Sequence, residues 1–215
     1  MTTVNDLLER DYKNREFDTG GGYTSKLEYI QSVYPEHVRS HARQILENVD
    51  AGYKRYNYAA ALAEHVHKQV TYSFSDSVSR ADFLLDHKQK GDCKDYSTCI
   101  ASLLDARSFD TRYVVLERDR YDRGHVFLQV LFEDADISRL IEAADSYYDR
   151  DIRKVGYEKD ENGYWLVVDG TASPVVGFQG GKYSYARRSQ PLQWKHDVRK
   201  DYLYVDLNLR PEEHV

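Results

Sequence analysis

The sequence predicts an α+β domain in which a helical half is followed by a mainly antiparallel sheet. Two observations predict this order. Apolar residues recur at helical spacing up to about residue 105, and runs of β-branched and aromatic residues follow after residue 110. The chain has 215 residues, of which 41% are hydrophobic and 31% are charged. A chain of this length buries roughly 70% of its surface on folding, so neither a metal ion nor a disulfide is needed for stability.

The first 70 residues predict three helical segments separated by turn signals. Residues 4–16 predict a short polar helix, and DTGGGYTS at 18–25 predicts a flexible joint. Helical spacing resumes after Pro35, and Gly52 fits the end of that helix. Residues 55–70 are rich in alanine and predict a longer helix. Its apolar stripe consists of Tyr58, Leu62, Val66 and Val70.

The next helix carries both cysteines of the chain, in the sequence GDCKDYSTCIASLLD. One apolar face contains Tyr96, Cys99, Ile100, Leu103 and Leu104. Cys99 lies on this face and is interpreted as a core thiol. Cys93 stands at the start of the helix after Gly91, where unpaired N–H groups and the positive end of the helix dipole favour a thiolate. Six residues of helix rise about 9 Å, too far for a disulfide, so two free thiols in a reducing compartment are expected.

The second half of the chain predicts strands. Runs rich in β-branched and aromatic residues occupy 111–117, 125–132, 163–170 and 201–209. A charged helical insertion at about 133–155 separates two of them, and 177–185 predicts a hairpin turn and one more strand. We expect residues 55–215 to form the core, with the cysteine helix packed on an antiparallel sheet. Residues 1–54 are expected to form an N-terminal helical extension packed on or covering that core.

Charge and motif content argue against several classes of function. The net charge of −6 argues against nucleic acid or anionic lipid as the main partner. No apolar run is long enough to cross a bilayer and the start of the chain has no leader pattern, so a cytoplasmic protein is expected. His37 and His41 have helical i, i+4 spacing, but His65 and His67 diverge on a helix, and no Cys-x-x-Cys or His-Glu-x-x-His pattern occurs. We therefore expect no metal ion and no cofactor.

Three residue types favour nucleophilic catalysis. A thiolate nucleophile needs a base and a group that orients the base. Of the eight histidines, His125 alone opens a predicted strand, and Asp169 ends another strand before Gly170. A helix N-terminus, a strand start and a strand end can meet at one edge of a sheet. There Cys93 would attack a carbonyl, His125 would relay protons and Asp169 would hold the imidazole tautomer. Each feature alone also has an ordinary structural interpretation, Asp169 as a turn residue included.

Together these residues carry a family resemblance. The stretches GDCKDYSTCIASLLDARSFDTRYVVL, GHVFLQV and YWLVVDGT, in this order, resemble the transglutaminase-like cysteine enzyme superfamily, above all its small stand-alone prokaryotic and archaeal members. The resemblance covers about residues 55–173. It implies a papain-like fold and a triad of Cys93, His125 and Asp169. Phe127 departs from the pattern, because many members carry Trp at that position.

Acyl chemistry at a thiol also needs donors for the developing oxyanion. The backbone N–H of Cys93 is the first donor expected. Tyr72, Gln69 and Gln89 are candidates for a second donor, with Tyr72 favoured because it begins an extended segment expected near the cysteine. Further residues are candidates for the wall of the substrate cleft: Tyr96, Trp165 and Gln179. Tyr72 and Trp165 are equally compatible with a place in the core.

Two carboxylates flank the nucleophile. Asp92 and Asp95 are interpreted as helix-start residues that complement the dipole. Two negative charges beside Cys93 also oppose thiolate formation, unless an ion pair with His125 outweighs them.

The reaction predicted from these features is hydrolysis of a peptide or isopeptide amide through a thioester, with a protein or peptide as the partner. Acyl transfer to an amine, as in cross-linking transglutaminases, is an alternative. It is less favoured because no calcium-site pattern such as D-x-D-x-D-G is present. A binding module that kept the fold and lost the chemistry is the second alternative.

Overall fold

The structure is a computed structural model, and it describes residues 16–18, 23–25, 35–50, 52–75, 77–116, 125–133, 135–150, 152, 154–177, 186–187 and 202–206. The α-helices are α1 (Pro35–Leu46), α2 (Lys54–Gln69), α3 (Ala81–Phe83), α4 (Cys93–Asp105) and α5 (Ile137–Tyr148), with a π turn at Leu84–Lys88 after α3. The strands are β1 (Glu16–Asp18), β2 (Tyr23–Ser25), β3 (Thr71–Tyr72), β4 (Lys90–Gly91), β5 (Thr111–Leu116), β6 (His125–Phe132), β7 (Lys154–Val155), β8 (Tyr157–Asp160), β9 (Gly163–Val168), β10 (Ala186–Arg187) and β11 (Tyr202–Asp206). The predicted α+β class is confirmed.

The main sheet of the described residues is antiparallel throughout. Its strand order is β11-β5-β6-β9-β8. The register pairs Leu116 with His125 and Leu128 with Val168. The four strands predicted from β-branched and aromatic runs are therefore confirmed. Strand β8 was not predicted, because Tyr157 is its only β-branched or aromatic residue. Its sequence YEKD forms a strand through its hairpin with β9.

Helix α4 lies between the sheet and the other helices, and every residue from Cys93 to Leu104 is buried. The predicted apolar face is confirmed, but the opposite face is buried as well. The polar side chains on that face can be buried because their hydroxyl groups are hydrogen-bonded. Ser102 donates to the Thr98 carbonyl at 2.8 Å, and Tyr113 of β5 donates to Thr98 Oγ1 at 3.0 Å. Helix α4 is thus packed against other parts of the protein on all sides.

The helices around α4 follow the predicted pattern. Helix α1 begins at Pro35, where helical spacing was predicted to resume, and buries Val38, Ala42 and Leu46. It ends at Leu46, so the prediction that Gly52 ends this helix is wrong. Helix α2 begins and ends within one residue of its predicted bounds, and Leu62, Val66 and Val70 of its stripe are buried. Helix α5 lies within the predicted charged insertion. No helix in the described part of the chain has the length and apolarity needed to cross a membrane.

The segment predicted as a flexible joint has a different outcome. Glu16–Asp18 pairs with Tyr23–Ser25 in an antiparallel hairpin, where the sequence predicted a flexible joint. Glycine-rich runs suit joints and hairpin connections alike, so composition does not distinguish them. Of the helix predicted at 4–16, residues 4–15 lie outside the described residues, and Glu16 begins β1 instead. Of the hairpin and strand predicted at 177–185, residues 178–185 lie outside the described residues.

Candidate active site

Cys93 is the first residue of α4, and its position is set by the turn before it. The Asp92 side chain accepts a hydrogen bond from the N–H of Lys94 at 3.0 Å, and the Asp95 side chain accepts from the N–H of Asp92 at 3.0 Å. These reciprocal bonds form a capping box. A Cβ on Gly91 would lie 2.4 Å from the Cβ of Asp95, so only glycine fits there. The predicted helix-start role of both carboxylates is confirmed.

Each of these carboxylates has a lysine partner. Lys94 is fully buried; its ammonium forms an ion pair with Asp92 and donates to the Ser75 carbonyl at 2.9 Å. Asp95 lies 3.7 Å from the Lys88 ammonium. The negative charges that were expected to oppose a thiolate are therefore balanced locally. Sequence reasoning missed Lys94, because a lysine in the first turn of a helix is usually exposed.

His125 and Asp169 meet where two neighbouring strands end. Antiparallel pairing brings the start of β6 beside the end of β9, so that His125 Nε2 lies 2.7 Å from Asp169 Oδ2. Asp169 is 3% exposed, and its other oxygen accepts from the N–H of Thr171 at 3.2 Å, from the hydroxyl of Thr171 at 2.7 Å and from the N–H of Ala172 at 3.3 Å. The carboxylate is thus saturated with donors and fixed in orientation.

The side chain of Cys93 completes this chain of contacts, through a hydrogen bond with His125. Burial by itself would lower the pKa of His125, but the bonds and charges of Asp169 and Cys93 outweigh it and raise the pKa to about 10. Burial would also raise the pKa of Asp169, but the hydrogen bonds from His125 and Thr171 lower it overall. Because Nε2 is bound to Asp169, Nδ1 is the ring nitrogen left for the hydrogen bond with Cys93.

A second layer of residues supports the turn that carries Asp169. His67 Nδ1 lies 2.6 Å from the carbonyl oxygen of Gly170, so the bond joins helix α2 to the turn. A Cβ on Gly170 would lie 2.6 Å from Ile100 Cδ1, so α4 and this turn are in close contact. Sequence reasoning missed this contact of His67, which was considered only as a metal ligand, because its partner lies 103 residues away.

The three oxyanion candidates lie on the segments that lead into α4. Tyr72 is half exposed and pairs in register with Gly91, two residues before Cys93. Gln69 is the exposed last residue of α2. Gln89 is exposed with a positive φ of 46°, and its carbonyl accepts from the N–H of Thr71. Tyr72 is therefore the candidate whose backbone is paired directly with β4, the strand that leads into α4.

The predicted cleft residues have different positions. Tyr96 is buried, and its hydroxyl donates to the Val70 carbonyl, so it lies beneath the site. Trp165 is 3% exposed; its indole N–H donates to Asp160 at 2.7 Å, and Arg112 stacks on its ring at 4.1 Å. It precedes Asp169 by four strand residues, roughly 13 Å, so the structure does not bring it to the triad. Gln179 lies outside the described residues.

The histidines considered as metal ligands have other partners. His37 lies 3.4 Å from Asp82, and His41 lies 2.9 Å from Asp86. Within the described residues, no group of three or more His, Cys, Asp or Glu side chains is arranged to hold a metal ion. Cys93 and Cys99 are both free thiols, as predicted.

The fold and this geometry define a class of protein: an α+β domain of the papain-like kind, with a cysteine helix packed on an antiparallel sheet. The sequence model of the transglutaminase-like superfamily matches residues 39–169, more than half of the chain. The protein therefore belongs to the transglutaminase-like superfamily. The matched region includes Cys93 and His125 and ends on Asp169.

Three solved structures are similar to this chain at low sequence identity. A candidate cysteine protease from Cytophaga hutchinsonii has a TM-score of 0.43 at 13% identity, covering 67% of this chain and 41% of that one. The periplasmic domain of TgpA from Pseudomonas aeruginosa has a TM-score of 0.40 at 16% identity, covering 67% and 49%. A TGase has a TM-score of 0.37 at 13% identity, covering 74% and 34%. This chain thus spans less than half the length of each. A comparison with curated proteins gave no match.

Proposed function

We propose that this protein is a cysteine hydrolase that cleaves a peptide or isopeptide amide through a thioester on Cys93. One observation carries the proposal: a continuous chain of hydrogen bonds runs from Asp169 through His125 to Cys93. With its pKa raised to about 10, His125 is an imidazolium at neutral pH, beside the sulfur that would act as the nucleophile. About 30% of the His125 side chain is exposed, which gives the proton-transfer group contact with solvent.

In the acylation step, the Cys93 sulfur attacks the amide carbonyl carbon, and the carbonyl π electrons move to oxygen. The backbone N–H of Cys93 and the hydroxyl of Tyr72 are the proposed donors to this oxyanion. When the carbonyl re-forms, the C–N bond breaks and His125 gives its proton to the departing nitrogen. The products are a thioester on Cys93, a free amine and a neutral imidazole.

In the deacylation step, neutral His125 removes a proton from water, and the resulting hydroxide attacks the thioester carbonyl. The C–S bond breaks, the acid product leaves, and the thiolate–imidazolium pair is restored. Asp169 holds the imidazole in the tautomer that both steps need. If a primary amine replaced water in this step, the product would be a new amide, as in a transglutaminase.

The test begins with alkylation of the two cysteines by iodoacetamide between pH 5 and pH 9, followed by mass spectrometry. Cys99 is an internal control, because burial and, to a smaller extent, the Asp95 charge raise the pKa of its thiol. Iodoacetamide is used because it reports the reactivity of Cys93, which is 2% exposed, without any contribution from peptide recognition. We expect Cys93 to react at pH 6 in the wild type and to lose this reactivity in His125→Ala. Equal profiles in both proteins would favour the binding module instead.

Turnover is tested next, on a peptide library with and without a primary amine, with Cys93→Ala as the control. Mass spectrometry distinguishes an acid product, expected for a hydrolase, from an amide product, expected for a transferase. Loss of peptide in the Cys93→Ala sample would show a contaminating protease.

We also infer a reducing compartment, the cytoplasm, as the working location, and a protein or peptide as the partner. The two free thiols support the first inference. Fractionation of source cells followed by immunoblotting tests it, with recovery outside the cytoplasm as the contrary result.

A further inference from the structure

Two exposed aromatic rings lie on the segment that follows helix α2. Phe74 is 65% exposed and Tyr72 is 50% exposed. Their ring centroids are 5.8 Å apart, and the rings meet nearly edge to face at 76°. Each ring therefore covers part of the other and still presents a large apolar area to solvent. Adjacent exposed aromatic side chains are typical of binding surfaces rather than of ordinary protein surface.

This aromatic pair lies beside the start of the nucleophile helix. The N–H of Ser73 donates to the Gly91 carbonyl at 2.8 Å, and the N–H of Ser75 lies 3.3 Å from the Asp92 carboxylate. Phe74 lies between these two contacts. Its backbone therefore runs alongside the residues that lead directly into α4, whose first residue is the proposed nucleophile.

Two buried or partly buried lysines fix the far end of the segment. Lys94 donates to the Ser75 carbonyl at 2.9 Å, and Lys88 donates to the Ser75 hydroxyl at 3.1 Å. The segment is thus bonded before and after Phe74, so the ring is presented on a fixed backbone. A surface ordered in advance binds a ligand without a further entropic cost for ordering the backbone.

We propose that Phe74, together with Tyr72, forms a subsite for an apolar or aromatic side chain of the peptide substrate next to the scissile amide, with Phe74 as the residue that determines specificity. This inference rests on the proposed hydrolase function. An apolar substrate side chain removes the exposed ring surface from water, whereas a charged side chain loses its own hydration there. Differences of this kind are typically worth about tenfold to a few hundredfold in the specificity constant.

The experiment compares three irreversible labels of Cys93. Two are peptidyl vinyl sulfones of the same length that differ only in the residue next to the reactive group, phenylalanine in one and aspartate in the other. The third is iodoacetamide, which has no peptide to recognise. The variants are Phe74→Ala and the matched control Phe83→Ala, which removes another exposed aromatic side chain, 52% exposed, from the surface.

We expect the wild type and Phe83→Ala to react at least about tenfold faster with the phenylalanine probe than with the aspartate probe. In Phe74→Ala the ratio of the phenylalanine-probe rate to the aspartate-probe rate falls to about one, while the rate of labelling by iodoacetamide stays unchanged. An unchanged ratio in Phe74→Ala, or no preference in the wild type, overturns the subsite. If iodoacetamide labelling does not depend on His125, the proposed function fails and the subsite fails with it. The two failures are thus distinguishable.

Discussion

The buried ammonium of Lys94 forms an ion pair with the carboxylate of Asp92, so that one charge of each sign lies immediately on either side of Cys93. Neither side chain is exposed to solvent by more than 2%. Asp92 also caps helix α4, and Lys94 also donates to the segment that carries Phe74. One ion pair is therefore bonded both to the helix start at the proposed nucleophile and to the proposed substrate subsite.

Replacing Lys94 by methionine is expected to leave the Asp92 charge buried without a partner. Breaking one partner of a buried ion pair typically costs about 3–5 kcal/mol. Urea unfolding measures this change in the free energy of unfolding. The matched control is Lys68→Met, which breaks a pair with Glu64 on an exposed helix face and is expected to cost no more than about 0.5 kcal/mol. Equal effects of the two substitutions would contradict a structural role for Lys94.

The raised pKa of His125 predicts how stability depends on pH. The pKa rises from 6.5 to about 10 in the folded protein, so the protonated ring stabilises the folded state. This contribution is complete below about pH 6.5 and is lost as the pH rises through about 10. The difference in the free energy of unfolding between wild type and His125→Gln should therefore shrink from pH 6 to pH 10. A difference that is constant over this interval would rule out the imidazolium assignment.

Asp169→Asn is expected to remove the charge that raises the pKa of His125 and the group that orients its ring. We expect turnover to fall by a factor on the order of 10² to 10⁴, and an NMR titration to find the pKa of His125 closer to its ordinary value. Thr171→Val is the graded control, since it removes only the hydroxyl bond to Asp169. Thr171→Val should also lower turnover, but by less than Asp169→Asn does. A larger loss of turnover in Thr171→Val would contradict the assignment of Asp169 as the residue that orients His125.

The two cysteines should separate activity from stability. Cys93→Ala is expected to abolish turnover and leave the fold intact, as measured by circular dichroism. Cys99 is fully buried, so Cys99→Ala should lower the free energy of unfolding by about 1–2 kcal/mol and retain activity. The reverse pattern would mean that the nucleophile has been assigned to the wrong end of the helix.

Gly170→Ala tests the contact between α4 and the turn that carries Asp169. The added Cβ would lie 2.6 Å from Ile100 Cδ1, and overpacking of this kind costs about 1–3 kcal/mol. Ile100→Val removes the Cδ1 atom, so the double variant should recover part of the stability lost in Gly170→Ala. Thermal melting of the three variants checks this. A strictly additive loss would show that the contact is not the cause.

Several elements were predictable from the sequence because their signal is local. The apolar residues of α4 recur at helical spacing within one helix. A run of β-branched and aromatic residues predicts the strand that begins at His125. Strand β8 has only one such residue, Tyr157, so its pairing with β9 was not predicted. The places of the three predicted triad residues could also be predicted, because each stands at the start or end of a helix or strand with a local signal.

Contacts between distant segments were decided by the tertiary structure alone. His125 and Asp169 are 44 residues apart, and His67 and Gly170 are 103 residues apart. No local pattern encodes such a distance, because it depends on how the strands pair and how α2 packs against the turn after β9. The fold likewise decides the surroundings of Trp165, because Arg112, which stacks on its ring, comes from the distant strand β5. The sequence determined which residue types were present for the chemistry, and packing determined which of them meet.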